Sequence, residues 1–180
     1  LLITEKIERL LTTIVSRMHN APSVTLTPVG SILSVTIENN GTVDRIGPQA
    51  AADLRNAFEF FETDDLLKIL VIEGSGGIFS EGSTLLPNDI ATFDGLSIDL
   101  IQQYQVANHL ARITKPTIAA MDGSAHGQGL EIALACDIRI ASSTASFGFP
   151  ESNSGLIPWD GGTQRLPRLV GQGLATQMLL

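Results

Sequence analysis

The segment spanning residues 115–151 constrains the fold most, because a short apolar run, a glycine-containing loop and a helix-forming run follow one another there. The apolar run Thr117-Ile118-Ala119-Ala120 stops at Asp122-Gly123, and strong helix formers begin at Leu130, just after Gly127-Gln128-Gly129. This order predicts a strand, a tight loop and a helix. Glycines let a backbone approach a ligand closely, and the first amides of a helix lack intrahelical acceptors. The loop is therefore either a binding site for developing negative charge or a purely structural strand-to-helix turn.

Two isolated glutamates lie beside this loop. Glu131 falls in the first turn of the predicted helix, where the helix dipole favours a carboxylate. Glu151 follows Phe147-Gly148-Phe149-Pro150, an apolar and stiff run that suits the presentation of a carboxyl group to a water-poor pocket. Taken singly, each glutamate is explained as well by a solvated surface charge. Together they form a candidate acid/base pair, in which unequal burial would separate the two pKa values.

Composition and charge narrow the class of protein. The chain has 180 residues, of which 43% are hydrophobic and 17% are charged, enough for one sizeable core. Its formal net charge of -8 argues against nucleic-acid binding, which needs a basic surface. No apolar stretch approaches the roughly 18 residues of a membrane span, so we expect no membrane partner.

The cysteine and histidine content argues against disulfide and metal chemistry. Cys136 is the single cysteine, so these 180 residues form no internal disulfide, and a reducing, cytoplasmic location is expected. The apolar neighbours of Cys136 predict a packed side chain rather than a nucleophile. No zinc-site spacing relates His19, His109 and His126, so no metal is expected.

The first 20 residues alternate apolar and polar groups at helical spacing and predict an amphipathic helix. Its polar face is not strongly basic, so packing on the body of the protein or on a neighbouring subunit is favoured over membrane binding. We therefore divide the chain into an N-terminal helical extension, residues 1–20, and a core, residues 21–180. Within the core, periodicity predicts strands at 24–26, 32–37, 67–72, 117–120, 138–140 and 145–147, and helices at 49–62, 96–113, 162–170 and 174–180.

A larger set of residues in the core follows one pattern in order, which makes the assignment of the core more specific. The residues Lys115-Pro116, Gly123, Gly127, Gly129, Glu131, Cys136-Asp137, Phe147, Pro150-Glu151, Gly155, Pro158, Gly161-Gly162-Thr163-Gln164-Arg165-Leu166, Arg168 and Val170-Gly171 follow a single pattern. This pattern resembles that of the crotonase, or enoyl-CoA hydratase/isomerase, superfamily. The segment DLLKILVIEGSGGIFSEGS, residues 65–83, is similar to the strand and following loop of the same superfamily.

The resemblance implies an α/β fold, a crotonase-like spiral of ββα units with surrounding helices. Members usually continue for several more helices, which complete the acyl pocket and the trimer interface. A C-terminal helical region is therefore expected to be missing here. The resemblance also implies assembly as a homotrimer or a dimer of trimers.

The resemblance further implies the site. Two backbone amides of the superfamily bind the thioester oxygen of an acyl-CoA and stabilise the enolate, and they match those of Ser83 and Gln128. The two glutamates that hold and activate water in the hydratases match Glu131 and Glu151. The other expected substrate contacts are Phe79, Glu81, Gly82, Leu85, His126 and Gly127.

Retention of both glutamates favours reversible hydration of a 2-enoyl-CoA to a 3-hydroxyacyl-CoA, in fatty acid metabolism. Coenzyme A is then part of the substrate, and no further cofactor is expected. Three alternatives stay open at this point: an enoyl-CoA isomerase, an acyl-CoA hydrolase and a catalytically weak CoA-binding assembly subunit.

Three departures from the superfamily pattern affect the predicted site most directly. Glu81 stands where many members have alanine, and we expect its carboxylate to point to solvent, the commoner fate of a loop glutamate. Gln128 replaces the middle residue of a glycine triplet, so the loop must accommodate a long side chain. His126 replaces an apolar residue and is either a hydrogen-bonded packing residue or a functional one, as a polar contact to substrate or as an acid/base group that titrates near neutral pH.

Overall fold

The computed structural model describes residues 23–38, 45–84 and 102–180. Within these ranges the strands are β1 (Val24–Val29), β2 (Ile32–Ile37), β3 (Ile69–Gly74), β4 (Thr117–Met121), β5 (Ala125–His126), β6 (Ile138–Ala141) and β7 (Phe147–Gly148). The helices are α1 (Pro48–Thr63), α2 (Ala107–Leu110), α3 (Gln128–Ala135), α4 (Gly162–Val170) and α5 (Gln172–Leu179), with a 3₁₀ helix at Pro150–Ser154.

Five strands form the main sheet, in the order β1-β2-β3-β4-β6. The pair β1 and β2 is antiparallel, and the other neighbours are parallel. The short strands β5 and β7 pair in parallel in a second, two-stranded sheet. Because β5 leads directly into Gly127 and the start of α3, this second sheet positions the glycine loop.

The main core lies between the sheet and α1. Alternate residues of β2 are buried, as the two-residue period of a strand requires. Full burial of one large apolar side chain stabilises the fold by about 1.5 to 3 kcal/mol. The core includes Leu33, Val35, Ile37, Leu54, Phe58 and Phe61. A second cluster joins α3 to the C-terminal helices through Leu130, Leu134, Phe149, Leu166 and Ala175.

Cys136 packs in the main core, as predicted for a structural residue. Its side chain is 4% exposed, and burial raises the pKa of the thiol to about 12. The thiolate form that a nucleophile requires is therefore strongly disfavoured.

Most predicted strands and helices of the described ranges are confirmed, with shifts at their ends. The first strand is longer than predicted, because Pro28 pairs with Leu33 instead of beginning the turn. This strand lies at the edge of the sheet, where the missing proline N–H costs no ladder hydrogen bond. The turn falls at Gly30 and Ser31, where Gly30 has a φ of 60°.

The prediction of one continuous helix to Ile113 is wrong in its described part. Residues 102–104 are helical, but the helix is interrupted at residues 105–106, and a new helix, α2, begins at Ala107. The Asp160 carboxylate accepts hydrogen bonds from the amides of Ala107 (2.6 Å) and Asn108 (2.8 Å). Because these are the first amides of α2, a distant acid replaces the acceptors that a continuous helix would have supplied.

Some predictions fall on residues outside the described ranges. These are the helix at 1–20, its boundary with the core and the substrate contact expected of Leu85. The division into two regions thus stays a prediction. Among the helices that the structure describes, none combines the length and the hydropathy needed to cross a bilayer.

Candidate active site

Two chain segments meet at the site, residues 80–84 and residues 126–128. Their approach begins with backbone hydrogen bonds from Phe79 N to Ser124 O and from His126 N to Ser80 O, both 2.8 Å. Gly82 then passes close to the second segment with a φ of 105°. A Cβ on Gly82 would lie 3.5 Å from the His126 carbonyl oxygen and 3.7 Å from the Gln128 amide nitrogen. The two segments are therefore in near contact where both predicted amide donors lie.

The Ser83 amide is oriented by the bridge between its segment and Ile46. The Ile46 amide donates to the Gly82 carbonyl (2.7 Å), and the Thr84 amide donates to the Ile46 carbonyl (3.0 Å). Alternate peptide groups of an extended segment point to opposite sides, so the Ser83 N–H points away from Ile46. Gln128 is the first residue of α3, where a backbone amide has no intrahelical acceptor.

Gly127 must be glycine for steric reasons. Its φ is 51°, and a Cβ there would lie 2.4 Å from Oε1 of Glu151. Any side chain would thus displace the carboxyl group that the sequence places at the site. The glycine loop and Glu151 are in direct contact, and Glu131 follows one helical turn later, its amide bonded to the Gly127 carbonyl (3.0 Å).

Glu131 is 0% exposed, and its two carboxyl oxygens differ in their surroundings. Oε1 accepts hydrogen bonds from the amides of Asp160 (2.8 Å) and Gly162 (2.7 Å). Oε2 is buried without a partner in the described part of the chain. Burial raises the pKa of Glu131 to about 8; the Gly162 hydrogen bond opposes this rise, and the charges of Asp160 and Glu151 add to it. The carboxyl group therefore holds a proton at neutral pH.

Glu151 lies in the 3₁₀ helix and is half-buried. Burial raises the pKa of its carboxyl group, while a hydrogen bond from its own backbone and the charges of His126 and Arg45 lower it. Its Oε2 is also buried, with no partner among the residues described. The two glutamates thus differ in burial, as the acid/base hypothesis requires, and each retains one unpaired oxygen.

A cavity of about 260 Å³ opens at Glu151. Its walls include Arg45, Glu81, Gly82, Ser83, Glu151 and Trp159. Gly127, Gln128 and Glu131 lie in the buried layer behind it. Within the described ranges, no group of three or more histidine, cysteine, aspartate or glutamate side chains could hold a metal ion.

Gln128 is accommodated by an interior network rather than by the cavity. Its side chain is 0% exposed, and its amide nitrogen donates to the Tyr104 carbonyl and lies 3.4 Å from Oδ2 of Asp160. Asp160 is also 0% exposed, and burial raises the pKa of its carboxyl group against several hydrogen bonds. The long side chain therefore leaves the Gln128 backbone amide at the start of α3 unobstructed by its own atoms.

Glu81 does not point to solvent, and that expectation is wrong. Its carboxylate accepts a hydrogen bond from the Ser124 hydroxyl and lies 2.7 Å from Nδ1 of His126. Nε2 of His126 lies 3.3 Å from the Ser146 hydroxyl. Of the two interpretations of His126, the hydrogen-bonded packing residue fits this geometry. Two of the departures from the superfamily pattern, Glu81 and His126, are thus partners of each other.

Phe79, an expected substrate contact, lies in the core instead. Its side chain is 0% exposed and belongs to the main core, because the strand-like segment before Gly82 turns this position inward. It does not reach the cavity wall.

Sequence reasoning missed Arg45, Trp159 and Asp160. Arg45 lines the cavity although it lies far from the matched segments. Trp159 and Asp160 occupy the two open positions between Pro158 and Gly161 of the matched pattern, where the only signal was that large and charged residues stood there. Nε1 of Trp159 is buried without a partner in the described ranges.

Comparison with known proteins identifies the family. The family model described as enoyl-CoA hydratase/isomerase matches residues 28–180. The crotonyl-CoA hydratase of Syntrophomonas wolfei is 40% identical over 132 residues, which cover 71% of this chain and 49% of that protein. The probable mitochondrial enoyl-CoA hydratase 2 of Arabidopsis thaliana is 33% identical over 155 residues, covering 82% of this chain and 50% of that protein. The chain therefore spans about half the length of these relatives.

Solved structures give the same result for the fold. Pseudomonas aeruginosa DspI matches with a TM-score of 0.78 and 36% identity, covering 91% of this chain and 62% of that one. An enoyl-CoA hydratase of Mycobacterium avium subsp. paratuberculosis matches with a TM-score of 0.78 and 28% identity, covering 91% and 65%. The predicted crotonase-like α/β fold is confirmed, and the chain belongs to the enoyl-CoA hydratase/isomerase family.

Proposed function

We propose that this chain carries the active site of an acyl-CoA-processing lyase that reversibly hydrates a 2-enoyl-CoA to a 3-hydroxyacyl-CoA. The observation that carries the proposal is the position of unpaired polar atoms. Of the five buried side-chain polar atoms without a partner in the described residues, three belong to Glu131, Glu151 and Trp159, at the cavity or in the layer beside it, and a fourth is the Gln128 oxygen of the interior network. Such atoms are costly in a core, and their clustering at one place supports a bound polar ligand.

The amides of Ser83 and Gln128 would bind the thioester carbonyl oxygen. Charge grows on this oxygen as the enolate forms, and preorganised donors stabilise that charge most in the transition state. The close approach of the two segments at Gly82 supports a shared acceptor between them. Loss of one such donor typically costs about 2.7 to 4 kcal/mol of transition-state stabilisation.

The unpaired oxygens of Glu131 and Glu151 would hold a water molecule. A buried water needs about two to four polar partners, and these two carboxyl oxygens and the Trp159 N–H are each buried without a partner in the described part of the chain. In the hydration direction one glutamate, as a carboxylate, takes a proton from the water, whose oxygen bonds to Cβ. The other glutamate, as a carboxylic acid, delivers a proton to Cα. The pair begins and ends with one proton, which belongs to the two coupled groups together.

Coenzyme A is part of the proposed substrate, and the proposal requires no other cofactor. Assembly as a homotrimer or dimer of trimers stays a prediction. The exposed apolar side chains of β6 and α4 offer it a surface, among them Ile138, Ile140, Leu169 and Val170.

The test uses the full-length protein with crotonyl-CoA and longer 2-enoyl-CoA substrates. Hydration removes the absorbance of the conjugated thioester and adds one water to the product mass, whereas isomerisation leaves the mass unchanged and hydrolysis releases free CoA. We expect Glu131→Gln and Glu151→Gln each to lower kcat by at least about 100-fold, the range of a general acid/base. The matched control is Glu59→Gln, since the Glu59 side chain is 67% exposed. Normal turnover in both site variants would overturn the assignment.

A further inference from the structure

The contact between Glu81 and His126 joins the two segments that carry the proposed amide donors. Glu81 lies two residues before Ser83, and His126 lies two residues before Gln128. Their side chains are 2.7 Å apart, between Oε2 of the carboxylate and Nδ1 of the imidazole. The pair therefore spans the gap between the segments at an equal distance along the chain from each donor.

Backbone hydrogen bonds tie the two segments together at Ser80, Ala125 and His126. Ser80 and Ala125 form a parallel bridge, and the His126 amide donates to the Ser80 carbonyl (2.8 Å). Beyond them Gly82 bonds to Ile46 instead, and Gly127 bonds to the Gly148 carbonyl. The side-chain pair supplies the next cross-link, immediately before the segments separate around the cavity.

Both members of the pair are fixed by further contacts. The Ser124 hydroxyl donates to Oε1 of Glu81, and the Ser146 hydroxyl lies 3.3 Å from Nε2 of His126. Partial burial raises the pKa of Glu81, but the hydrogen bonds from Ser124 and His126 and the charges of His126 and Arg45 outweigh this and hold it below its ordinary value. The carboxylate is therefore ionised at neutral pH and is a strong acceptor for His126.

We propose that Glu81 and His126 are positioning residues that set the spacing of the Ser83 and Gln128 amides around the thioester oxygen. This inference rests on the proposed function, because it assumes that these amides bind an acyl-CoA carbonyl. A displacement of about 1 Å at a reacting centre costs about 100-fold in rate. A cross-link two residues from each donor controls displacements of that size.

The experiment measures the polarisation of a bound carbonyl separately from turnover. The probe is an amino-substituted cinnamoyl-CoA, whose absorption maximum moves to longer wavelength when hydrogen bonds polarise its thioester carbonyl. We expect Glu81→Ala and His126→Ala to lose most of this red shift at saturating probe, and to lower kcat for crotonyl-CoA about 10- to 100-fold with KM changed less than about 3-fold. The double variant should be no more impaired than the more impaired single variant, because both substitutions break the same contact.

Two further variants separate positioning from general stability. His126→Asn retains a polar group near the position of Nδ1 and should recover part of the red shift and of kcat. His109→Ala is the matched control, since it breaks another histidine–glutamate contact, 3.8 Å from Glu59, outside the site. It should change neither quantity. Should the alanine variants not fold, Glu81→Gln and His126→Asn take their place, with a partial loss of the red shift expected.

The outcomes distinguish this inference from the proposed function. A wild-type red shift that the pair variants lose supports the inference even where no enoyl-CoA is hydrated, and the hydratase assignment alone then fails. A full red shift in the variants overturns the inference even where the wild-type protein hydrates crotonyl-CoA. Absence of a red shift in the wild-type complex also overturns it, because the amides would not polarise a carbonyl.

Discussion

Two polar groupings that support the proposed amide donors lie in contrasting surroundings. The rim pair is Glu81, which lines the cavity, and its partner His126, with side chains 34% and 27% exposed. The interior network, Gln128 and Asp160 with the Tyr104 carbonyl, is behind the same loop, and both of its side chains are 0% exposed. Water can replace a lost partner at the rim but not in the interior. Hydrogen bonds of the rim pair are therefore expected to serve mainly alignment, and those of the interior network mainly stability.

Asp160→Ala should have the largest effect on stability. The change removes the acceptor of the Ala107 and Asn108 amides and of the Gln128 side chain, all in a buried site. A buried donor left without its acceptor costs about 1 to 3 kcal/mol, and chemical denaturation will measure the loss. Asp160→Asn keeps one acceptor oxygen, so its stability should fall between those of wild type and Asp160→Ala. Asp122→Ala, at an exposed position, is the control and should stay within about 0.5 kcal/mol of wild type. A loss no larger than that control's would contradict the proposed contrast between interior and rim.

The sequence predicted local features of the fold and the site, but it did not predict contacts between residues that are far apart along the chain. The strand periods of β2 and the glycine at 127 follow from local rules, and both are confirmed. The break before α2 did not follow, because its cause, Asp160, lies 53 residues beyond Ala107. The predicted orientation of Glu81 was wrong for the same reason. Its partners Ser124 and His126 lie 43 and 45 residues away, and residue preferences carry no information about such pairings.

Glu131 gives the interior a distinctive pH dependence. Its folded pKa, about 8, is raised above the ordinary value of 4.5, so the folded state binds the proton more tightly than the unfolded state. The stability contributed by the protonated group is present in full below pH 4.5 and is lost as pH rises through about 8. Glu131→Gln should therefore gain stability relative to wild type as pH rises from 5 to 8. Denaturation series at matched pH values will measure this difference, since subtraction cancels the other titrating acids. A constant difference would show that Glu131 ionises normally in the folded protein.

Trp159 tests the boundary between the interior and the cavity. Its buried N–H has no partner in the described ranges, although the ring lines the cavity beside Glu151. Trp159→Phe keeps most of the ring volume and should lower kcat about 2- to 12-fold, the worth of one neutral hydrogen bond of about 0.5 to 1.5 kcal/mol. Trp159 is also the single tryptophan of the sequence, so wild-type fluorescence should change when an acyl-CoA binds. Unchanged kcat in the variant together with unchanged wild-type fluorescence would exclude a contact with the ligand.

The rim should give the smallest stability effect, with a pH dependence of the opposite sign. The pKa of Glu81 is held below its ordinary value of 4.5, so the stability from its ionised form is present above pH 4.5 and is lost as pH falls through the folded pKa. Because the side chain is one-third exposed, the loss should stay below about 1 kcal/mol and shrink further in high salt. Glu81→Gln should accordingly match wild type at low pH and be slightly less stable at pH 6, the reverse of the trend for Glu131→Gln. If both variants shifted in the same direction with pH, the rim carboxylate would belong to the same desolvated environment as the interior. The separation of alignment from stability would then fail.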